Sequence, residues 1–141
     1  MSASLPLLQQ TLRRHGQSLT APRRAVYGAL SEHLPLTMAD LIARCPDIDR
    51  ASVYRTVALF ERLGIAQRLQ TGWKYRLELS DQFQDHHHHA TCLHCGRSLV
   101  VPESASIEEA LRSLAAELGF ELQHHQLELQ GRCASCQRVT T

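Results

Sequence analysis

The stretch DRASVYRTVALFERLG (residues 49–64) is followed directly by IAQRLQTGWKYRLEL (residues 65–79). In the first stretch, Val53, Val57 and Phe60 recur at the i, i+4, i+7 spacing of one helix face. An aspartate that can cap the helix precedes them, and a glycine that can end it follows. The second stretch alternates apolar and polar residues on both sides of a Thr-Gly pair, which predicts a β-hairpin. A capped amphipathic helix leading into a hairpin is therefore expected at the end of the first domain.

Toward the N-terminus, apolar periodicity and cap residues predict three further helices. They are expected over residues 5–15, 20–33 and 37–45. Thr20 and Thr37 stand at the start of the second and third helices, where a hydroxyl can accept from a free backbone N–H. Helix, short helix, helix and hairpin is the order of a winged helix, so we predict a winged-helix domain over residues 1–79.

The rest of the chain is predicted to form a small α/β domain over residues 86–141, after a polar hinge at residues 80–85. A strand is expected over Ser98–Val101 and a helix over Ile107–Leu118. The helix has an apolar stripe, formed by Leu111, Leu114, Ala115 and Leu118. Alternating apolar residues predict strands that run to Gly131, through Phe120, Leu122, Leu127 and Leu129. The fold class of the whole chain is thus α+β.

Composition and charge describe a soluble globular protein with two different halves. Of 141 residues, 43% are hydrophobic and 21% charged, and no apolar run approaches the length of a transmembrane helix. The N-terminal basic residues follow the apolar ones, the reverse of a secretory signal, so we expect a cytoplasmic protein with no membrane partner. Residues 1–76 carry a net charge of +6 and residues 77–141 a net charge of −5. Two halves with different functions would explain this division of charge, although a chance distribution of surface charge would also produce it.

Four of the five cysteines form two CxxC pairs with 37 residues between them. Each pair lets two thiolates reach one ion from a tight turn, and two such turns complete a tetrahedral zinc site. Disulfides are disfavoured without an export signal, and a redox pair would need a βαβ context. We therefore predict a structural Zn²⁺ held by Cys92, Cys95, Cys133 and Cys136. Cys45 is expected to be a small buried hydrophobe.

Four consecutive histidines, residues 86–89, form a second candidate site for metal. Side chains alternate in an extended segment, so His86 and His88 would face one way while His87 and His89 face the other. One strand could therefore supply two metal sites. Later in the chain His125 and several glutamates offer further donors, and imidazole with carboxylate suits Fe(II), Mn(II), Zn(II) or Co(II). A solvated histidine loop is the alternative.

In order along the chain, the sequence contains LTAPR (19–23), ASVYR (51–55), HHHH (86–89), CLHCG (92–96) and GRCASC (131–136). With these motifs in this order, it resembles the ferric uptake regulator family over nearly its whole length. The resemblance implies a homodimeric, metal-dependent transcription factor with an N-terminal winged helix and a C-terminal dimerisation domain. Its partner would be double-stranded DNA, read as a pseudo-palindromic operator.

The resemblance also assigns roles to individual residues. It gives the four cysteines to the structural zinc. It implies an inter-domain sensing site at His33, Glu78, His87 and His89, where His33 departs from the family pattern by about two positions. A second site in the dimerisation domain would use His86, His88, Glu108 and His125, with His88 at a position that is acidic in many members. DNA contacts would come from Arg13, Arg14, Arg23, Ser52, Tyr54, Arg55 and Thr56.

The predicted function is a repressor of metal-uptake genes with Fe²⁺ or Zn²⁺ as the regulatory ion. A sensing site with a glutamate and without cysteine favours Fe(II). The CASC ending and the LAAELGF segment (114–120) also resemble zinc-sensing members, so zinc sensing stays open. From another class, a zinc-dependent hydrolase or deaminase is disfavoured, because neither cysteine pair follows a proline as a deaminase requires. A metal-storage or DNA-compacting protein would leave the divided charge without a purpose.

Overall fold

The computed structural model describes residues 4–32, 34–71 and 74–139. The chain forms two compact units, Met1–Asp85 and His86–Thr141. The expected hinge at residues 80–85 belongs to the first unit. Within it Phe83 is buried and lies edge-on to the Tyr27 ring, with 6.0 Å between ring centroids. This apolar contact holds an otherwise polar segment against the first unit.

The first unit contains four helices and a two-stranded hairpin among its described residues. These elements are α1 (Leu5–Arg14), α2 (Ala21–Leu30), α3 (Met38–Arg44), α4 (Arg50–Arg62), β1 (Ala66–Thr71) and β2 (Lys74–Leu79). The predicted caps are confirmed, since Thr20, Thr37 and Asp49 each accept from the backbone N–H three residues on. At Thr37 the Asp40 carboxylate also accepts from the Thr37 N–H, which completes a capping box.

The hairpin is joined to the helices by one further β-bridge. β1 and β2 pair antiparallel from Ala66 opposite Leu79 to Thr71 opposite Lys74. Leu36 and Leu77 exchange both backbone hydrogen bonds, at 2.9 and 2.7 Å, just before α3 begins. Three helices, a short bridging segment and a hairpin constitute the winged helix that the sequence predicts.

A single apolar core holds the first unit together. Leu8, Leu12, Val26, Val53 and Phe60 are fully buried, and they come from three of the four helices. The face predicted for α4 is therefore the buried face. Cys45 belongs to the same core, as predicted, and burial raises the pKa of its thiol.

The second unit is a three-stranded sheet with two helices. Its elements are β3 (His87–Cys92), β4 (Ser98–Pro102), α5 (Ala105–Glu117), β5 (Glu128–Gly131) and α6 (Ala134–Val139). β3 is the central strand, antiparallel to β4 and parallel to β5. The tetrahistidine run therefore leads into the middle of the sheet.

The apolar stripe predicted on α5 is largely uncovered in the single chain, with Leu114 54% and Leu118 73% exposed. One expectation for the second unit differs from the structure. Residues 120–127 do not form a strand, and pairing begins only at Glu128. In the described part of the chain, no helix combines the length and apolar character needed to span a bilayer.

Candidate metal and DNA-binding sites

The two CxxC pairs come together at one end of the sheet. Cys92 ends β3, Cys95 lies in the turn that follows, and Cys133 and Cys136 lie immediately before and within α6. The four Sγ atoms all lie within 4.8 Å of one another, and those of Cys95 and Cys133 are 3.8 Å apart. Gly96 has a φ of 77°, which lets the chain close the first turn. The cluster therefore ties the central strand to the C-terminal helix.

Backbone amides favour the thiolate form of Cys92 in this cluster, which is the form that binds a cation. The N–H groups of Cys95 and Cys133 donate to the Sγ of Cys92 at 3.5 and 3.3 Å. These hydrogen bonds lower the pKa of Cys92 to about 5, and hydrogen bonds from Cys136 lower that of Cys133. By contrast, burial and the neighbouring sulfurs raise the pKa of Cys136 to about 12. Thiolates are the form that binds metal, and four sulfurs at this separation fit a tetrahedral zinc ion.

The four consecutive histidines, of which His87–His89 begin β3 and His86 directly precedes it, alternate between two faces, as the extended-chain argument predicts. The rings of His86 and His88 pack edge-on with centroids 4.7 Å apart, and those of His87 and His89 pack likewise at 4.6 Å. A solvated loop does not fit this arrangement, because His88 and His89 are almost completely buried.

The first of these pairs meets a buried carboxylate from α5. Oε1 of Glu108 lies 2.6 Å from Nε2 of His88 and 3.3 Å from Nε2 of His86. Oε2 of Glu108 lies 2.8 Å from Nε2 of His125, which is itself 3.1 Å from Nε2 of His86. Three imidazole nitrogens and a carboxylate thus converge on one small volume. All four residues assigned to the second site by the resemblance are brought together.

Three imidazoles surround the carboxylate of Glu108 although its side chain is buried. Burial raises its pKa, but the hydrogen bond from His88 and the charges of His125 and His86 outweigh this, so the pKa is lowered overall. The carboxylate is thus kept ionised at neutral pH. An ionised carboxylate among imidazoles fits a divalent transition metal.

The residues predicted for the sensing site belong to different parts of the chain. His87 and His89 form the pair on the other face of β3. Glu78 is buried on β2 in the first unit, where its Oε1 accepts from Nε2 of Gln67 at 2.8 Å. His33 lies outside the described residues. That these four share an ion therefore stays a prediction.

On α4, the side opposite the core presents polar residues. Tyr54 is 45% exposed and Arg55 is exposed, so Tyr54 is not the core aromatic that a purely structural role would require. Ser52 is half-buried beside Arg55. Thr56, by contrast, is only 5% exposed. Thr56 nevertheless lines the same groove as Ser52 and Arg55, so the DNA contact that the resemblance implies for it stays a prediction.

Arginines from two other helices accompany this face. Arg23 in α2 lines a groove together with Ser52 and Arg55, and its guanidinium donates to the carbonyl of Ser18 at 2.5 Å. Arg13 and Arg14 are exposed at the C-terminal end of α1 and line a separate surface depression.

Among the groove residues that were not predicted from the sequence, Gln17 and Arg62 have long polar side chains. Both line the groove together with Arg23 and Arg55. Arg62 lies seven positions after Arg55, a spacing that puts both on the same side of α4, and this signal is present in the sequence. Gln17 has no such signal, because it lies outside the helices.

The first unit is a winged helix whose α4 presents arginine on its exposed side. The second unit has a thiolate cluster and a histidine-carboxylate cluster. Together these features define a metal-responsive DNA-binding regulator. The model of the ferric uptake regulator family matches residues 14–130. The chain belongs to the ferric uptake regulator family. It is accordingly a metal-responsive transcription regulator and not an enzyme.

Individual relatives agree with this assignment. The ferric uptake regulation protein of Cupriavidus metallidurans is 37% identical over 132 residues, which are 86% of this chain and 88% of its own length. The crystal structure of the Vibrio cholerae ferric uptake regulator has 30% identity and a TM-score of 0.73, covering 89% of this chain and 99% of its own. A zinc-bound manganese uptake regulator has 30% identity and a TM-score of 0.67, covering 89% and 98% respectively.

Proposed function

We propose that this protein is an Fe(II)-dependent repressor of iron-uptake genes that acts in the cytoplasm as a homodimer. The observation that carries the proposal is the alternation on β3, which directs His86 and His88 to one side and His87 and His89 to the other. A chain whose central strand offers two separate sets of imidazoles can bind exchangeable ions independently of the cysteine cluster. Relatives named ferric uptake regulation protein, which the chain covers to 86–88% of their length, support the choice of metal.

The four cysteines are proposed to hold a structural Zn²⁺. The lowered pKa of Cys92 and Cys133 supports this role, because a preformed thiolate binds zinc without first losing a proton. Zinc at this site supplies a cross-link between β3 and α6. The cysteine side chains then fix the C-terminal end of β3, the strand that begins with the histidines.

Two further sites are proposed to bind the regulatory ion. One comprises Glu78, His87 and His89, with His33 as the fourth ligand, and the other comprises His86, His88, Glu108 and His125. A glutamate in the first set supplies a hard oxygen donor, which favours Fe(II) over a softer thiolate-bound ion. The sequence offers no cysteine between Cys45 and Cys92 that would favour zinc there.

DNA binding is assigned to the first unit and dimerisation to the second. Tyr54 and Arg55 are proposed to contact the operator from α4, while Arg13, Arg14 and Arg23 meet phosphates and fix the register. Two copies related by a two-fold axis read a pseudo-palindrome only if their recognition helices have the spacing of the half-sites. Shared ligands from both units would favour that spacing, by no more than the differential affinity of the ion for it.

The test compares a double variant with a matched control in the same unit. The double variant His87→Ala with His89→Ala removes the imidazoles from one face of β3. The control, His94→Ala with His124→Ala, removes two exposed histidines that belong to none of the three clusters of metal-binding side chains. The probe is a duplex selected from a random library by the wild-type protein in anaerobic Fe(II). We expect Fe(II) to tighten wild-type and control binding ~100-fold, the effect of a coupling of ~3 kcal/mol. The β3 variant should keep its cysteine-bound zinc and lose this response.

A wild-type protein that binds the selected duplex equally tightly with and without exchangeable metal would contradict the proposed function. A β3 double variant with the wild-type Fe(II) response would contradict the sensing-site assignment alone.

Zinc sensing is the second candidate, and one observation favours it. His88 is buried against Glu108, which gives the second site three imidazoles for one carboxylate. Such a nitrogen-rich set suits Zn(II) at least as well as Fe(II). Parallel titrations of the selected duplex with Fe(II) and Zn(II), each at buffered free concentration, distinguish the candidates by which ion promotes binding at the lower concentration.

A further inference from the structure

Three side chains at the start of α4 form a continuous hydrogen-bonded chain. Asp49, the N-cap, accepts from the backbone N–H of Ser52 through Oδ2 at 3.0 Å and from the Ser52 hydroxyl through Oδ1 at 2.6 Å. The Oγ of Ser52 in turn accepts from Nη2 of Arg55 at 2.9 Å. Each of the three residues is about one helical turn from the next, so the row of hydrogen bonds runs along one side of the helix.

The direction of these hydrogen bonds is fixed by chemistry. An ionised carboxylate only accepts, so the single hydroxyl proton of Ser52 is committed to Asp49. The lone pairs of Ser52 are then left for a donor, and a guanidinium can only donate. Hydrogen bonds from the side chain and backbone of Ser52, together with the charge of Arg55, hold the pKa of Asp49 below its usual range. Asp49 therefore remains an acceptor at neutral pH.

Capping alone does not account for an aspartate at this position. In the same domain Thr20 and Thr37 cap α2 and α3 with neutral hydroxyls. A neutral hydroxyl can therefore cap a helix of this domain, and an anion beside a DNA-facing helix repels phosphates. Asp49 differs from those caps in using its second oxygen on Ser52, and through Ser52 it reaches Arg55.

We propose that Asp49 and Ser52 are positioning residues that hold the guanidinium of Arg55 in its DNA-reading orientation before DNA is bound. A free arginine side chain loses much rotamer freedom when it is immobilised at an interface. Tethering through Nη2 reduces that loss and leaves the other guanidinium N–H groups for DNA. Because any duplex can attract an untethered cation, the tether increases discrimination between sequences more than general affinity.

The inference rests on the proposed DNA-binding function and is tested on the same selected duplex with Fe(II)-loaded protein. Ser52→Ala removes the tether but keeps the backbone N–H that Asp49 caps, and Ser52→Thr restores a hydroxyl. Ser31→Ala is the matched control, because its hydroxyl donates to the Tyr27 carbonyl at the end of α2. Dissociation constants are measured on the selected duplex and on a scrambled duplex of equal composition, over a salt series.

We expect Ser52→Ala to weaken binding to the selected duplex about 5- to 10-fold, the size of a modest pre-organisation effect. Binding to the scrambled duplex and the salt slope should not change, because no phosphate contact is lost. Ser52→Thr should recover discrimination, and Ser31→Ala should match the wild type. A Ser52→Ala variant with wild-type discrimination overturns the proposal while leaving the metal-dependent function intact.

A double-mutant cycle separates positioning from direct contact. If Ser52 acts through Arg55, Ser52→Ala has no further effect in an Arg55→Ala background. An equal loss in both backgrounds would mean that Ser52 contacts DNA by itself, which overturns the proposal. Loss of metal-dependent binding in the wild type would instead be a failure of the proposed function, and it is visible without any variant.

Discussion

The two units of this protein are stabilised in different ways. In the first unit, large apolar side chains such as Leu8, Leu12, Val26 and Phe60 are completely buried in one cluster. Among the described residues of the second unit, the buried hydrophobic side chains are only those of Cys92, Ala115 and Cys136. Several large apolar side chains of that unit are exposed instead, namely Leu93, Leu99, Leu114, Leu118, Phe120 and Leu129.

This difference shows what each unit needs in order to fold. The first unit obtains its stability from burial of apolar surface, which requires nothing beyond its own chain. A unit of the size of residues 86–141 with so little buried apolar area generally depends on a metal or on oligomerisation. The cysteine cluster and the exposed apolar side chains of the second unit match these two requirements.

The largest expected effect comes from removing one zinc ligand. Cys133→Ser should unfold the second unit and abolish dimerisation, because the thiolate cluster replaces a core that this unit does not have. The first unit should keep its structure, since its apolar core contains none of the four clustered cysteines. Hydrogen exchange measured by mass spectrometry should show loss of protection in the second unit only.

Cys45→Ser is the control for this comparison. It removes a thiol of the first unit that belongs to the apolar core and lies outside the cysteine cluster. We expect it to lower the stability of the first unit and leave dimerisation unchanged. A Cys133→Ser protein that stays dimeric and protected would mean that the second unit does not depend on its zinc site.

A smaller effect is expected from the exposed side of α5. Leu118→Asp puts a charge on the exposed apolar stripe of α5. We propose this stripe as part of the dimer interface, where each leucine contributes about 1.5–3 kcal/mol if it is buried. Because the change occurs in both copies, the dimer dissociation constant should rise ~100-fold or more, measured by sedimentation velocity. Ser113→Asp introduces the same charge elsewhere on the exposed surface of α5 and should have little effect. Equal dimer affinity in both variants would place the interface elsewhere.

The sequence predicted best what is decided locally. Caps at Thr20, Thr37 and Asp49 follow from residue type and short-range spacing, and all three are present. Of the strands expected from Phe120 to Gly131, only β5 (Glu128–Gly131) forms, since alternation of apolar residues does not show whether a neighbouring strand is available for pairing. The burial of Phe83 was also missed, because a single aromatic residue in a polar stretch has no periodicity to reveal it.

For the candidate sites as well, the sequence predicted what depends on local spacing and missed what depends on packing. Alternation on β3 and the CxxC spacing determine which donors face together, so His86 with His88 and His87 with His89 could be paired from sequence. That His125 and Glu108 join one of these pairs depends on how α5 and the segment after it pack, and only the family resemblance indicated it. The burial of Thr56 depends on the exact rotation of α4, which apolar spacing defines only approximately.

The smallest expected effect compares one helix cap from each unit. Thr37 accepts from the N–H of Asp40 and takes part in a capping box, so Thr37→Ala should lower the free energy of unfolding of the first unit by about 1 kcal/mol. Ser104, the N-cap of α5, makes no side-chain capping bond, and its hydroxyl lies 3.0 Å from that of Ser106. Ser104→Ala should therefore leave stability unchanged in urea titrations of the zinc-loaded protein. Equal losses in the free energy of unfolding from the two changes would mean that helix caps contribute equally in the two units. The second unit would then depend less on its metal and its partner than we infer.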